Sequence, residues 1–505
     1  MIRNILERVF HVKQAPWAER HYVLILIAGA LAAMLVSLAI GLTQSVWFDE
    51  AYSIMLAKQP VDQLLHLAAV DTHPPLYYLL LKAWAGIFGW GELALRSLSV
   101  IALGGSLVFG GLLVKRMFGV RVALVALPFI ILAPFLLRYG FEIRMYALAS
   151  LIGIAATYVL VTALEAKTSR QRWIKYTIYA IIVALGVYTL YYMALLWIAH
   201  LVWLAWITYR EKKSLMKAPW LLTFAGSVIL FLPWLPTFLK QVNNGALAQI
   251  SQAMTLDNLL GIISFNFVYQ PVWQLSALLS LLVVFVISTL CFIIIRAFKV
   301  VPHDQKKYLL LLALYVLVPV VILTLVSLLR PMYVERYLAH IAIGGMLFIG
   351  AAVALATKKA STMLHTAAAL LIVVLVVGIA HLVQVGNYNF QRLQKPDVAS
   401  AASLLKPCNS ETTILAADPY VAIELAYYLP DCDIHFYSKD AKLAGGYAPL
   451  SESRLQISDP VVQLANEKSL YYVYYDQPTL EIPLGMNQTS DDKFGSLSVS
   501  YFSAE

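Results

Sequence analysis

Adjacent carboxylates stand at Asp49-Glu50, where a long apolar run of the chain ends. Placing two carboxylates beside a membrane-length segment costs on the order of several kcal/mol unless a cation, a metal or hydroxyl groups compensate them. One such carboxylate can serve as a general base that takes a proton from a hydroxyl. The bland alternative is an acidic cap facing water at the membrane surface. Further on, Asp71-Thr72-His73-Pro74-Pro75 presents an imidazole in a proline-flanked turn, where a histidine is either structural or a ligand. Glu142 lies between Arg138 and Arg144, and Glu335 between Arg330 and Arg336, so each either pairs with a guanidinium or serves a site. Carboxylate and imidazole suit Mg, Mn or Zn, which makes Glu50, His73 and Glu142 candidates for a divalent metal, although their spacing specifies none.

The elements that must position these groups are mostly membrane-crossing helices. Of the 505 residues, 61% are hydrophobic and 13% charged, with a mean hydropathy of +0.75, far from the composition of soluble globular chains. At roughly 20 apolar residues per crossing the chain offers about 11 spans. They are expected at 22–44, 92–114, 119–137, 143–164, 174–191, 193–208, 219–239, 273–295, 308–329, 338–357 and 363–383. Arg3, Arg8, Lys13 and Arg20 put the N-terminus on the cytoplasmic side, and basic runs recur in every second loop: Lys115-Arg116, Lys167 to Arg172, Arg210 to Lys213, Arg296 to Lys307 and Lys358-Lys359. Loops 45–91, 138–142, 240–272 and 330–337 and everything after the last span are then outside. Met1 to Arg20 carries no cleavage pattern, so the first span is expected to be retained.

The formal charge of +9 conceals a partition. Residues 384–505 hold 8 Lys+Arg against 15 Asp+Glu, a balance of −7, which leaves +16 on residues 1–383. That excess reads as topology and not as nucleic-acid binding. The division implies a transmembrane module over 1–383 and an extracytoplasmic domain over 384–505. In the latter, helix-like 397–405 and 419–428 alternate with strand-like 412–416, 433–437 and 470–475, as in a small α/β domain with parallel strands. An oxidising exterior would let Cys408 and Cys432 pair; the alternative is two buried thiols. In loop 45–91 the run through Leu64, Leu65, Leu67 and Ala68 reads as an interfacial helix that Pro74-Pro75 stops. His200, inside a span, reads as an interhelical hydrogen-bond partner. Lys82 is expected to snorkel.

Three segments together resemble the opening of glycosyltransferase family 39: Phe48-Asp49-Glu50-Ala51-Tyr52-Ser53, Asp71-Thr72-His73-Pro74-Pro75-Leu76-Tyr77-Tyr78 and Glu92-Leu93-Ala94-Leu95-Arg96. That family has the GT-C fold and includes protein O-mannosyltransferases and the aminoarabinose transferases of lipid A. The resemblance is closest over the first 165 residues. It implies polyprenyl-phosphate sugars as donors, Asp49 as the catalytic carboxylate and Glu50 in support. Arg138-Tyr139-Gly140-Phe141-Glu142-Ile143-Arg144-Met145-Tyr146 is similar to the family's Arg/Tyr-rich loop, which makes Glu142 the second site carboxylate. Arg336-Tyr337-Leu338 is similar to its late outer-loop motif. A departing lipid phosphate accumulates charge and calls for guanidinium donors, so Arg336 is expected on the phosphate, with Arg138, Arg144 and Arg330 in reserve. Tyr333 and Tyr337 read more readily as interface-belt residues than as catalysts. Asn243, Asn244, Gln249, Gln252, Asn266, Tyr269 and Trp273 suit sugar hydroxyls and sugar faces.

The resulting expectation is an all-α polytopic membrane protein, GT-C-like, with a small C-terminal extracytoplasmic α/β domain. Its proposed work is a single inverting displacement from a polyprenyl-phosphate hexose or pentose, such as mannose, to a lipid, polysaccharide or protein acceptor. A plasma membrane is the expected location, with the N-terminus cytoplasmic. A transporter or flippase of a lipid-linked or small solute is the alternative, and it predicts acidic residues within spans and similar halves, neither of which the sequence displays.

Overall fold

The computed structural model describes residues 16–243, 251, 253–358, 361–385, 396–406, 408, 412–440, 443, 450, 453–464, 467–478, 480 and 486–504. Arg3, Arg8, Lys13, Asn244, Gln249, Gln252 and Lys359, named above, lie outside these residues. The chain divides into two compact units: Met1–Ala39 with Arg96–Gln384, and Ile40–Leu95 with Val385–Glu505.

The first unit is helical. Among the described residues of the chain eight helices are long and apolar enough to cross a membrane, and two bent pairs raise the number to ten. One pair, Val120–Ile131 with Pro134–Gly140, bends by 62°. Pro134 disfavours the helical conformation at the preceding residue, and Ala133 is extended (φ −68°, ψ 112°). The other pair, Pro219–Phe231 with Leu235–Asn243, bends by 75° around Pro233 and Pro236. The expected span at 174–191 is present as a helix, Ser169–Thr189, but its first seven residues carry Arg170, Arg172 and Lys175, which lowers its apolar character below that of the others. The helix Ala339–Thr357 lies at the heart of this unit, buried along almost its whole length. Gly350 lets it approach Val120–Ile131, since a Cβ there would come within 2.6 Å of the Ala126 Cα. His200 is satisfied on both ring nitrogens, 3.0 Å from Thr157 Oγ1 and 2.8 Å from the Tyr179 hydroxyl, which is the structural role read from the sequence.

The second unit combines the 40–95 segment with a six-stranded sheet. Its strands are β1 (Thr413–Ala416), β2 (Ile434–Tyr437), β3 (Gln456–Ile457), β4 (Ser469–Tyr475), β5 (Met486–Phe494) and β6 (Leu497–Ala504), in the order β3-β2-β1-β4-β6-β5. The β1, β2, β3 and β4 pairings are parallel, as expected for the α/β part. The β5-β6 hairpin adds an antiparallel edge through a turn at Gly495, whose φ of 66° suits a residue without a Cβ. Helices Val398–Leu404 and Pro419–Tyr428 cover one face, burying Val398, Val421 and Leu425 against Ile414, Phe436 and Val473. Cys408 and Cys432 are joined in a disulfide, with Cα atoms 5.8 Å apart.

Candidate active site

In the second unit, Asp49 and Glu50 occupy the first turn of the helix Phe48–Lys58, at 8% and 0% exposure. Acidic residues favour this position because the unpaired amides and the helix dipole both attract negative charge. Glu50 turns back on its own helix start, its Oε2 accepting from the Trp47 N–H at 3.4 Å. At the far end Lys82 reaches over from the helix Leu76–Phe88 to donate to the carbonyls of Ala57 (3.3 Å) and Gln59 (2.8 Å). It therefore caps the carbonyl end of this helix where snorkelling was expected, because three ammonium donors match carbonyls that have no intrahelical partner.

The helix expected through Leu64 and Ala68 spans Val61–Val70, and the 71–75 turn that follows is a packed cluster. His73 Nδ1 is 3.3 Å from Asp71 Oδ2 and 3.0 Å from Thr72 Oγ1, and the Tyr78 hydroxyl donates to the same Asp71 oxygen at 3.5 Å. Tyr52, one turn after Asp49, meets the Tyr78 ring edge-on at a centroid distance of 6.3 Å. The Asp71-His73 pair is thus coupled by contacts to the face of the helix that carries Asp49. Asp71 was quoted within a motif from the sequence without being assigned to the site; the i, i+2 spacing of carboxylate and imidazole across a proline turn is the signal that would have found it.

In the first unit, Arg138 and Glu142 form a buried ion pair, Nη1 to Oε2, at 2.7 Å. The i, i+4 spacing brings them together at the end of the helix Pro134–Gly140. Arg138 also lies over the rings of Phe141 (4.9 Å) and Tyr139 (5.2 Å), and Arg96 over the ring of Phe141 (5.7 Å). Arg336 Nε donates to the Tyr146 hydroxyl at 3.1 Å, and the ring of Tyr337 packs against those of Tyr146 and Tyr192. Arg144 is buried, its carbonyl accepting from Ser99 Oγ at 3.4 Å. Arg330 donates to the Val242 carbonyl at 3.0 Å. Tyr333 and Tyr337 are both buried within the unit, a correction to the interface-belt reading: they pack inward on protein.

Tyr269 joins this cluster with a left-handed backbone (φ 50°), a conformation that strains a bulky residue by about 1–3 kcal/mol. Its phenol is pushed up to about 12, first by burial, with Arg138 opposing and the Glu142 and Glu335 carboxylates adding to the rise. Burial, and then Glu335, also raises the Tyr333 phenol. Glu335, read from the sequence only as a pairing partner, therefore belongs electrostatically with Glu142, Arg138 and Tyr269.

Next to it opens an apolar cavity of about 450 Å³. Tyr333, Glu335 and Asn266 line it together with aliphatic and aromatic residues of the helices Ala277–Val300, Lys306–Ser327 and Ala339–Thr357. Asn266 donates to the Ile262 carbonyl at 2.8 Å. Cys291, a free and exposed thiol, is also part of its wall. Among the described residues no three His, Cys, Asp or Glu side chains are grouped to hold a metal ion.

Residues 72–236 match the family model described as "Dolichyl-phosphate-mannose-protein mannosyltransferase", a third of the chain that bears out the resemblance read from the sequence. No curated protein matches the full sequence. The fold is similar to that of ArnT from Cupriavidus metallidurans, solved bound to undecaprenyl phosphate, with a TM-score of 0.59 and 13% identity over 95% of this chain and 98% of that one. The same protein in the apo state gives the same values. The oligosaccharyltransferase of Archaeoglobus fulgidus, tethered with an acceptor peptide, gives a TM-score of 0.52 and 13% identity over 90% of this chain and 69% of that one. The fold is that of the GT-C glycosyltransferases, a helical membrane bundle with a small C-terminal sheet.

Proposed function

We propose that the chain is an integral-membrane glycosyltransferase that moves a sugar from a polyprenyl-phosphate donor to a hydroxyl of a lipid, polysaccharide or protein at the outer membrane face. The observation that carries this reading is the burial of two adjacent carboxylates, Asp49 and Glu50, at the start of one helix. Buried carboxylates are kept where chemistry or structure requires them. Asp49 is assigned as the general base, and Glu50 as its support, on the resemblance of their motif to that of glycosyltransferase family 39.

In the reaction the acceptor hydroxyl gives its proton to Asp49 while its oxygen attacks the anomeric carbon. The carbon–oxygen bond to the phosphate breaks, its electron pair leaves with the lipid phosphate, and the anomeric configuration inverts. Arg336 and Arg138 answer the charge that grows on the phosphate, with Glu142 fixing the Arg138 guanidinium. His73, Tyr333, Arg144 and Arg330 are proposed as further substrate-binding residues. The apolar cavity ending at Tyr333, Glu335 and Asn266 suits the first isoprene units of the donor chain, with a mannosyl, other hexosyl or pentosyl group at its polar end. Support for a polyprenyl-phosphate comes from the matching family model and from the like-folded ArnT, which binds undecaprenyl phosphate.

The test is transfer of labelled sugar from a panel of polyprenyl-phosphate donors to native membrane extract. Wild type should transfer from at least one donor, and Asp49→Asn should lose about 10²–10⁴-fold in rate. In parallel, polyprenyl phosphate should slow labelling of Cys291 by a maleimide. A wild type that transfers from no donor, or an Asp49→Asn enzyme as fast as wild type, would refute the reaction; unprotected Cys291 would remove the donor chain from the cavity.

A further inference from the structure

One helix of the C-terminal sheet domain holds both ends of the 45–91 loop. Tyr420, Glu424, Tyr427 and Tyr428 recur at i, i+4, i+7 and i+8 of Pro419–Tyr428 and so share one face. Glu424 is 1% exposed, and its Oε1 accepts from the Phe48 N–H at 2.8 Å. Its Oε2 accepts from the Tyr475 hydroxyl at 2.5 Å, from strand β4. The Phe48 ring stacks on Tyr420 at 4.3 Å, nearly parallel at 15°. The Tyr428 hydroxyl accepts from the Val46 N–H at 2.7 Å and donates to Glu92 at 2.7 Å, while the Tyr427 hydroxyl donates to the Trp90 carbonyl at 3.2 Å.

Phe48 is the first residue of the helix that carries Asp49, and its amide is one of the donors that a helix start leaves without an intrahelical partner. Glu424 satisfies that donor from another part of the chain and puts a negative charge at the positive end of the helix dipole. Glu424 in turn has its buried charge solvated by that amide and by a phenol, so the helix start and the domain are each completed by the other.

We infer that the C-terminal domain acts as a positioning element for the reaction, with Glu424 fixing the first turn of the Phe48–Lys58 helix and thereby the place of the Asp49 carboxylate. This rests on the assignment of Asp49 as the base. Glu424 touches no reacting atom in this scheme; it works through the Phe48 amide.

The experiment compares full-length wild type, Glu424→Ala, Glu424→Gln and Tyr428→Phe in lipid nanodiscs. One readout is hydrogen exchange of peptides spanning residues 46–53, which needs no substrate; the other is kcat and KM with a polyprenyl-phosphate sugar. Glu424→Ala should speed exchange over 46–53 at least tenfold and lower kcat at least tenfold, with the donor KM changed less than twofold. Glu424→Gln, whose amide oxygen still accepts from Phe48, should stay within threefold of wild type in both. Tyr428→Phe, which loses the Val46 bond and the Glu92 contact, should speed exchange at Val46 and serves if the alanine variant does not fold. Unchanged exchange over 46–53 in Glu424→Ala, or in Tyr428→Phe when that variant stands in, overturns the inference. Equal loss of kcat in the alanine and glutamine variants overturns it too, since charge and not positioning would then be at work. A wild type without transfer activity counts against the transferase reading alone, because exchange still judges the contact.

Discussion

Glu142 and Glu424 are both buried carboxylates, one in each compact unit, and they are held by different kinds of donor. Glu142 takes a guanidinium from four residues earlier in its own segment. Glu424 takes a peptide amide 376 residues away and a phenol 51 residues away. A guanidinium neutralises the charge it binds, so the Arg138-Glu142 pair is a fixed, locally encoded object. Amide and hydroxyl donors disperse the charge without cancelling it, so Glu424 ties together distant parts of the chain.

That contrast is most open to test at Arg138. Arg138→Met should destabilise the helical unit by about 3–5 kcal/mol, because Glu142 would be left buried without its counter-charge, whereas Arg138→Met with Glu142→Leu should recover most of that loss. Chemical unfolding in detergent distinguishes them, and equal stabilities of the single and double variants would erase the contrast. Next is the phenol beside the ion pair. Tyr269 has its folded pKa raised from 10.0 to about 12, so its contribution is fully present below pH 10 and is lost as pH rises toward 12, when the unfolded chain ionises first. The loss amounts to about 2–3 kcal/mol, and Tyr269→Phe should flatten the alkaline limb of the stability curve. A comparable or smaller effect belongs to the second unit: Tyr475→Phe removes one donor to a charged acceptor and should cost about 1.5–3 kcal/mol in thermal unfolding. A cost matching that of Arg138→Met would show that the two carboxylates are held alike. Smallest is Lys82→Met, at about 0.3–1 kcal/mol, which should appear as faster exchange at the Ala57 end of its helix.

The membrane bundle was legible because apolar runs of span length have few other uses, and the strands at 413–416, 434–437 and 469–475 because their residues are β-branched and aromatic. Strand β5 was not legible: Met486–Phe494 is polar almost throughout, exposed at the sheet edge, and is a strand only because β6 pairs with it. The hairpin partner β6 did carry an alternating signal in Leu497, Val499 and Tyr501. Of the candidate residues, Asp49, Glu50 and the Arg138-Glu142 spacing could be read locally. Glu424 could not, since nothing in Asp418-Pro419-Tyr420-Val421-Ala422-Ile423-Glu424 distinguishes a carboxylate facing water from one facing a backbone amide far upstream. The same holds for Glu335, whose neighbours Arg330 and Arg336 suggested ion pairs while its electrostatic companions, Tyr269 and Tyr333, come from folding.

The long reach between Phe48 and Glu424 also sets an order of events during synthesis. The 45–91 loop leaves the ribosome more than 300 residues before Tyr475 does. At roughly 5–20 residues per second the Phe48–Lys58 helix waits on the order of 20–80 s for the residues that complete its first turn. Throughout that interval every membrane span can insert, while the carboxylate helix has not yet met its partner. The sheet domain is thus made after every span described above, and its Glu424 reaches the Phe48 amide only once those spans have been synthesised.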